Sequence, residues 1–324
     1  MDKVGIKKLV DRELGEIAGN QNRLRSLLLS KKDSLGKNEE DLIFLGMANL
    51  AEYFWCAEES YLKSRKKELD FFFSYLSDRI RYSVELGSIS KFPVSANEIL
   101  EIGEGIKIQD IERLLQEREN QFVYNDLISA KVAIEGQWKT IGVHDRVLYI
   151  LGYPDEFVGK NDLQEFNANE VVFVKSLDDP ALPPLLRGFV GEYEWAEKYP
   201  TIRWNFSHGY YTIVGIPDGI TSDFVYEFKT SRNSFLKGYL KPVAEIQADF
   251  SGHFFRREKK RVQIRVSETG NIETYQSQVS SQRVLQVLKG FKLIDEGETP
   301  IPPKPWKCKH CEFNQTCSIS QVVM

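Results

Sequence analysis

The chain has 324 residues, of which 42% are hydrophobic and 28% are charged. This length favours two structural units or one core with a large extension, and the composition excludes bulk disorder. The formal charge is −4, so the general basic coat that binds nucleic acid without specificity is absent. The longest apolar stretch, residues 43–55, is interrupted by Asn49 and Glu52 and is too short for a membrane span. With no apolar secretory segment at the amino terminus either, we expect a cytoplasmic protein outside the membrane.

The amino-terminal region, residues 1–130, is predicted to be mostly helical. Residues 41–65 and 68–86 carry apolar side chains at helical spacing. A looser stretch with several glycines follows, and helical spacing returns over residues 108–122.

From residue 131 the pattern changes to short β-branched and aromatic runs, which predict strands. Proline residues open a helix over 185–198, and three strands follow it in quick succession. The predicted strands are 132–138, 146–153, 171–176, 201–206, 210–216, 223–230 and 260–267, and the later helices are 241–259 and 278–294. A proline-rich linker then leads into a cysteine-containing tail.

Two acidic residues and a lysine stand out in the strand-rich half. Asp218 follows an apolar strand at a glycine-marked turn, and Glu227 lies inside the next predicted strand. Neighbouring antiparallel strands with a short turn can bring two such carboxylates together. Lys229 is two positions after Glu227, so both side chains point to the same face. Converging carboxylates suit Mg²⁺ or Mn²⁺, and a nearby lysine can position water or steady a charged phosphate.

The alternative is a surface hairpin on which Glu227 and Lys229 form a solvated ion pair. The flanking residues Phe224, Val225 and Phe228 are apolar, which favours a partly buried strand. A partly buried cluster of two acids and a lysine is costly without a metal ion. We therefore interpret these residues as a divalent-metal site.

The stretches GIPD and YEFK, which contain these three residues, resemble the second and third motifs of the PD-(D/E)XK nucleases, within them the RecB-like group. Gln247 is similar to the glutamine of that group's Q-x-x-x-Y motif, although Ser251 replaces the aromatic residue. Around Glu192 the chain resembles the R-G-x-x-x-H pattern of the first motif, with glutamate in place of histidine. Glu194 and Glu197 lie on the same predicted helix, which leaves the register of this acid open.

Three of the four cysteines crowd the carboxy terminus. Cys308, Cys311 and Cys317 form a C-x₂-C-x₅-C pattern, and Cys56 stands alone far upstream. Three thiols so close together in a polar loop favour metal ligation over unrelated cysteines. Tetrahedral zinc and an iron–sulfur cluster both fit four thiolates.

One cysteine before the nuclease motifs and three after them resembles the CRISPR-associated RecB-like iron–sulfur exonuclease family, most closely its longer archaeal subtype I-A variant. The resemblance implies an α/β fold with a restriction-endonuclease-like core at residues 131–300, and a helical region at 1–130. A cysteine-rich tail at 301–324 would complete a 4Fe–4S cluster. The implied cluster ligands are Cys56, Cys308, Cys311 and Cys317. If Cys56 is not the fourth ligand, His310 is the first candidate to test in its place.

The same resemblance assigns roles to the site residues. Asp218 and Glu227 would hold one or two Mg²⁺ or Mn²⁺ ions, with the Phe228 carbonyl as an extra ligand. Lys229 would position the attacking water. Glu192 would support the metal shell, and Gln247 would orient the DNA or the active-site strand.

The implied function is a metal-dependent DNA exonuclease that acts on single-stranded or frayed ends. Its setting would be the processing of new spacer DNA in CRISPR adaptation, an antiviral defence, with integrase-type partners. One alternative is a non-catalytic DNA-binding adaptor of the spacer-acquisition complex, and another is a zinc-stabilised DNA repair module.

The densest basic run is Arg256, Arg257, Lys259, Lys260 and Arg261. We interpret it as a solvated helix end, with a phosphate contact as the alternative.

Overall fold

The computed structural model describes residues 3–89, 96–102, 107–121, 134–135, 138–151, 163–164, 168–176, 179–309 and 311–323. In this part of the chain, helices and three small sheets form a mixed α/β architecture. The expected α/β class is confirmed at that level. No helix among these residues is long and apolar enough to cross a membrane.

The amino-terminal region is helical apart from one short strand. Its elements are α1 (Lys3–Gly19), α2 (Gln21–Ser34), β1 (Phe44–Gly46), α3 (Met47–Ala51), a 3₁₀ turn (Glu52–Phe54), α4 (Ala57–Lys66), α5 (Glu68–Glu85), α6 (Ala96–Glu101) and α7 (Ile108–Gln121). The apolar faces of α1, α2 and α5 share a core that includes Val10, Leu24, Phe72 and Leu76. Burial of such stripes is the main source of stability for helices of this length.

The continuous helix predicted over residues 41–65 is wrong, because that segment divides into β1, α3, the 3₁₀ turn and α4. Strand β1 is fully buried and pairs in parallel with a strand far along the chain. The Ile43 N–H donates to Glu68 Oε1 at 3.0 Å, and the Lys32 ammonium bonds the same carboxylate at 2.9 Å. These long-range partners override the local helical spacing.

A first sheet follows the helices, with the strand order β2-β3-β4-β5. Its strands are β2 (Ile134–Glu135), β3 (Trp138–His144), β4 (Val147–Leu151) and β5 (Glu170–Val174). Strands β2, β4 and β5 overlap the three strand predictions of this region, whereas β3 shares only Trp138 with a predicted strand and was otherwise not predicted. Residues 132–133, 136–137 and 152–153 lie outside the described part. Helix α8 (Pro184–Trp195) then packs Leu186 and Val190 against Val174 of β5.

The two remaining sheets hold the carboxy-terminal strands. Strands β6 (Trp204–His208) and β7 (Tyr211–Gly215) join β1, while β8 (Gly219–Ile220), β9 (Phe224–Ser231), β10 (Lys259–Val266) and β11 (Ile272–Gln278) form a sheet of order β11-β10-β9-β8. The helices are α9 (Ser234–Phe254), α10 (Ser281–Asp295), α11 (Pro305–Cys308) and α12 (Ser318–Val323). Strands β9 and β10 are parallel, while β8 and β11 run antiparallel to their neighbours. Strand β9 is therefore an interior strand of a mixed sheet, with α8 and α9 packed on it.

The boundaries predicted for the long helix are wrong at both ends. Helix α9 begins at Ser234, where Asn233 Oδ1 accepts the Leu236 N–H at 2.9 Å, and it continues through Pro242. It ends at Phe254, so that Lys259 belongs to β10. Strand β11 was not predicted at all, because its side chains are mostly exposed and carry little apolar signal.

Candidate functional site

Strand β9 places Glu227 and Lys229 on one face, as the two-residue spacing predicts. The Lys229 ammonium donates a hydrogen bond to Glu227 Oε1. Glu227 is fully buried, whereas about a quarter of the Lys229 side chain is exposed (26%). The pair therefore opens toward solvent on the lysine side only.

Asp218 lies between β7 and β8, and a hydrogen bond fixes it against the neighbouring strand. Its Oδ2 accepts the Phe228 N–H at 2.7 Å. Strands β8 and β9 pair antiparallel through Gly219 and Tyr226, which brings the turn alongside Glu227. The arrangement of turn and strand therefore matches the sequence interpretation. The Phe228 carbonyl remains a predicted ligand.

Helix α8 brings a third acid into electrostatic contact with this pair. Burial and then the negative charge of Asp218 raise the pKa of Glu192 to about 7, although Lys229 and Lys198 oppose the shift. Glu194, the other candidate for the first motif, is exposed. The structure thus places Glu192 in electrostatic contact with Asp218 and Lys229.

The carboxylate of Glu227 is incompletely hydrogen-bonded. Its Oε2 is buried and has no hydrogen-bond partner within the described residues. Burial raises the pKa of Glu227 well above its usual value, and the nearby Asp218 charge adds to the shift. A buried carboxylate oxygen without a donor costs free energy unless a cation or a proton satisfies it. The orphaned oxygen is the feature of this site that fits a divalent metal ion.

The side chains are not assembled into a coordination cage. Across the described ranges, no group of three or more His, Cys, Asp or Glu side chains is arranged to hold a metal ion. Gln247 lies half-buried on α9, and no hydrogen bond joins it to Asp218, Glu227 or Lys229 in the described structure. Its proposed role in orienting DNA remains a prediction.

A polar network that the sequence analysis missed lies at Tyr226, next to Glu227 on β9. The Tyr226 hydroxyl donates to Gln263 Oε1 at 2.6 Å and accepts the Glu197 N–H at 3.0 Å. The Glu197 carboxylate accepts hydrogen bonds from Arg261 and, at 2.7 Å, from Gln263 Nε2. The network ties the segment after α8 to the sheet, which helps to hold Glu192 in place. Arg261 and Gln263 are two residues apart on β10, so both side chains point to the same face. That spacing is the sequence signal from which a polar cluster on this face could have been predicted.

The four cysteines meet around one small pocket. Cys56, Cys308, Cys311 and Cys317 all contribute to its wall. Cys56 is the amino-terminal cap of α4, where its sulfur accepts the Glu59 N–H at 3.5 Å. Tail and helix are therefore neighbours although they are more than 250 residues apart in the sequence.

Aromatic and charged contacts hold the tail against the amino-terminal helices. The Lys307 ammonium donates to the Trp55 carbonyl at 2.7 Å and stands 4.1 Å from the centre of the Trp55 ring. Trp55 and Trp306 pack edge to face with ring centres 5.5 Å apart. Lys66 pairs with Glu312 of the tail at 2.6 Å. These contacts hold the tail, and with it three of the four cysteines, beside Cys56.

The donor chemistry of the cysteine pocket fits a thiophilic metal or cluster. Burial raises the pKa of Cys56 to about 11 and also raises the pKa of Cys311, so these thiols are protonated in the metal-free chain at neutral pH. A bound cation would reverse this by stabilising the thiolates. The pocket itself measures about 10 Å³, the space of one water molecule. His310 lies outside the described residues.

Comparison with known proteins adds little to this geometry. No protein-family model matches the chain, and no curated protein matches it. Among solved structures, the crystal structure of SSO0001 is similar over 43% of this chain and 72% of the other, with 19% identity and a TM-score of 0.34. A likeness of that size supports no statement about fold or function.

Proposed function

We propose that this protein is a metal-dependent deoxyribonuclease that hydrolyses phosphodiester bonds, acting as an exonuclease on single-stranded or frayed DNA ends. One observation carries the proposal, the buried and unpartnered Oε2 of Glu227 beside Asp218, Glu192 and Lys229. If the pair of Glu227 and Lys229 served stability alone, a buried oxygen without a donor among three carboxylates would only cost free energy. Strongly perturbed acids that gather around one lysine are typical of a catalytic site.

In this proposal Asp218 and Glu227 hold Mg²⁺ or Mn²⁺, supported by Glu192 and the Phe228 carbonyl. The ion would supply charge stabilisation at the phosphate and lower the pKa of water bound to it. The chain's own contribution begins with Lys229. The negative charge of Glu227 raises the pKa of Lys229 against the opposing effect of burial, so the ammonium stays protonated at neutral pH. Lys229 can therefore donate hydrogen bonds to water or phosphate but cannot act as a base.

The biological setting follows from the family resemblance and belongs to the proposal as well. We propose that the chain processes new spacer DNA during CRISPR adaptation, in the cytoplasm and together with integrase-type proteins. The restriction-endonuclease-like core and the 4Fe–4S cluster are parts of the same proposal. The position of the four thiols around one pocket supports the cluster.

The central experiment is digestion of end-labelled single- and double-stranded DNA with Mn²⁺, repeated after addition of EDTA. Hydrolysis that requires the metal and disappears in Glu227→Gln supports the proposal. Glu268→Gln is the matched control, since Glu268 is an exposed glutamate outside the site. Metal-dependent hydrolysis that persists undiminished in Glu227→Gln would assign the activity to other residues. DNA binding without any hydrolysis by the wild-type chain would favour the adaptor.

Iron and zinc analysis of anaerobically purified protein separates a cluster from a zinc site. If four cysteines hold one cluster, Cys56→Ser and Cys311→Ser lose the same iron and fall to the same melting temperature. Full iron content in Cys56→Ser would mean that Cys56 is not the fourth ligand, and His310 would then be the next residue to substitute. Zinc in place of iron would support the repair-module alternative.

A further inference from the structure

Strand β11 (Ile272–Gln278) is an outer edge of the sheet β11-β10-β9-β8. With seven residues, it is the longest edge strand in the described part of the chain. It pairs with β10 on one side, and no described strand pairs with its other side. Its side chains at positions 272, 274 and 276–278 are exposed. The outer side of such a strand offers a row of unpaired N–H and C=O groups to another strand.

Two hydrogen bonds at the ends of the β10–β11 ladder show which backbone groups point outward. The Val266 N–H donates to the Asn271 carbonyl at 2.8 Å, and the Val279 N–H donates to the Glu258 carbonyl at 2.7 Å. In an antiparallel pair, hydrogen-bonded residues alternate with residues whose N–H and C=O point away from the partner strand. The odd-numbered residues of β11 therefore bond to β10, and the backbone groups of residues 272, 274, 276 and 278 point to the outer edge.

Strand β11 lacks the features that normally protect an exposed edge from pairing. Edge strands are commonly short or bulged, or they carry lysine or proline. In contrast, β11 pairs with β10 over seven consecutive positions without a register shift. It contains neither lysine nor proline, and Glu273 is its single charged residue. The edge is therefore regular and accessible to a second strand along its length in the described structure.

Two cations that contact β11 side chains are themselves paired with carboxylates. The Lys237 ammonium pairs with Glu273 at 2.5 Å. Lys241 stands 3.8 Å from the centre of the Tyr275 ring and pairs with Glu245, also at 3.8 Å. The other side chains of β11 are neutral. Because these charges are balanced, an identical edge that approaches β11 meets no excess of one sign.

The backbone pattern selects one way for two copies of β11 to pair. Residues whose backbone groups point outward must face each other, so even-numbered residues oppose even-numbered ones. Only one such antiparallel register pairs all seven residues of both strands, and it places Tyr275 opposite Tyr275 of the second copy. Thr274 then faces Gln276, and Glu273 faces Ser277. The two Glu273 carboxylates are therefore not opposite each other.

We propose that two copies of this chain associate through antiparallel pairing of β11, which joins their four-stranded sheets into one continuous sheet. The occupant of the edge is a second copy because β11 is complementary to itself in length, in hydrogen bonding and in charge. A strand of another protein would have to match all three by chance.

This pairing aligns the two Glu227 sites. Glu227 is in register with Val262, and Val262 is in register with Tyr275, which lies at the two-fold axis. Opposed side chains lie on the same face of a sheet, so both sites lie on one face. Strands β9, β10 and β11 of each copy span the distance between them, which is five strand spacings or about 24 Å in a flat sheet. The association uses none of the proposed nuclease residues, so either proposal can fail without the other.

The mass of the full chain in solution tests the association. Sedimentation velocity in reducing buffer is measured from about 1 µM to about 200 µM, a range suited to a weak dimer. We expect the mass to rise from that of one chain toward that of two as the concentration increases. The mass of one chain at every concentration would overturn the proposal and leave β11 to a strand of another protein.

Paired substitutions at positions 274 and 276 test the register. Thr274→Lys with Gln276→Lys places lysine opposite lysine, so this variant should remain a monomer. Thr274→Lys with Gln276→Glu places lysine opposite glutamate of the second copy, so dimerisation should return. Both variants lose the Thr274 hydroxyl, which accepts a hydrogen bond from Gln263 at 3.1 Å, so that loss cannot explain a difference between them. Gln282→Lys with Gln286→Lys, at exposed positions of α10, adds the same charge away from the edge and should dimerise like wild type.

A cross-link tests the residue at the centre of the pairing. Position 275 of each copy forms a non-hydrogen-bonded pair with Cα atoms about 4.5 Å apart, a separation that suits a disulfide. Oxidised glutathione is reduced as the two introduced thiols join, so Tyr275→Cys should give a covalent dimer on a non-reducing gel. Wild type and Gln286→Cys, treated in the same way, control for the native cysteines and should give none.

Equal dimerisation of wild type and the variant with lysine at both positions would overturn the use of β11. A monomeric variant with lysine and glutamate, together with no cross-link in Tyr275→Cys, would overturn the antiparallel pairing of two copies. Loss of hydrolysis in Glu227→Gln with unchanged dimerisation would support both proposals separately.

Discussion

Asp249 of α9 and Glu227 of β9 are two fully buried carboxylates on elements that contact each other. They differ in how many hydrogen bonds the protein donates to them. Asp249 Oδ1 accepts hydrogen bonds from Lys260 Nζ at 2.5 Å and from the Ser280 N–H at 2.8 Å, and its Oδ2 accepts one from Arg283 at 3.2 Å. Glu227 has one donor, Lys229, and its second oxygen has none in the described structure.

The difference shows how to separate a structural charge from a functional one. The donors to Asp249 come from β10 and α10, so its charge joins three elements of the fold. Around Glu227 the neighbours are further acids, which the fold would not gather for stability alone. Buried charges with full hydrogen bonding hold structure together, whereas a buried carboxylate oxygen without a donor costs free energy until a proton, a water molecule or a cation satisfies it.

The largest expected effect is on catalysis at the incompletely bonded acid. If Glu227 binds the metal ion as proposed, its loss costs on the order of several kcal/mol of barrier, so Glu227→Gln should slow Mn²⁺-dependent hydrolysis by about 10³-fold or more. Its melting temperature should equal or exceed that of wild type, because glutamine carries no charge and burial penalises a charge at this position. A large drop in melting temperature would instead make Glu227 a structural residue like Asp249.

The converse is expected at Asp249. Asp249→Ala leaves Lys260, which is 4% exposed, without its carboxylate, and should lower the free energy of unfolding by about 3–5 kcal/mol. Urea denaturation measures this, with Asp33→Ala on the exposed face of α2 as the control. The hydrolysis rate of the fraction that remains folded should stay near that of wild type. If Asp249→Ala were as stable as Asp33→Ala, Asp249 would not be the structural charge that the contrast with Glu227 requires.

A third buried acid extends the comparison to the pH dependence of stability. Asp78 on α5 has an unpartnered Oδ2 within the described residues, and burial raises its pKa to about 7 despite Arg203 at 3.7 Å. A raised pKa means that the contribution of Asp78 to stability is fully present below about pH 4 and is lost as the pH rises through about 7.

Asp78→Asn should therefore flatten the fall in stability between pH 4 and pH 8. The difference from wild type at pH 8 is at most about 4 kcal/mol, because burial raises the pKa of Asp78 from 3.8 to about 7. Urea titrations across this range measure it, and Asp70→Asn on the exposed face of the same helix should show no such change. An unchanged pH dependence in Asp78→Asn would mean that Arg203 compensates the burial of Asp78.

The smallest effect is expected for the single donor to Glu227. In the proposed mechanism, Lys229→Met removes a positive group that would act on water and phosphate but carries no lone pair for a metal. Turnover should fall by about 10²-fold, the usual cost of one lost electrostatic donor, while the Mn²⁺ concentration for half-maximal rate stays nearly unchanged. A raised Mn²⁺ requirement with full maximal rate would assign Lys229 to metal binding.

Local periodicity was enough to predict several elements and the centre of the site. Alternation along β9 places Glu227 and Lys229 on one face, and the glycine-marked turn places Asp218 beside them. Helix α5 and strand β10 also lie close to their predicted ranges. These features follow from side-chain spacing within a few residues, which any stretch of sequence displays.

Contacts between distant segments were decided only by the tertiary structure. Residues 44–46 read as helix but pair with β7, and β11 has almost no apolar pattern yet completes an edge of the sheet. The Glu227 oxygen that has no donor among the described residues depends on which donors arrive from elsewhere in the chain. The sequence by itself determined which residues could carry chemistry, because residue type and spacing are local. Which of them are buried, paired or left unsatisfied is set by packing across the whole fold.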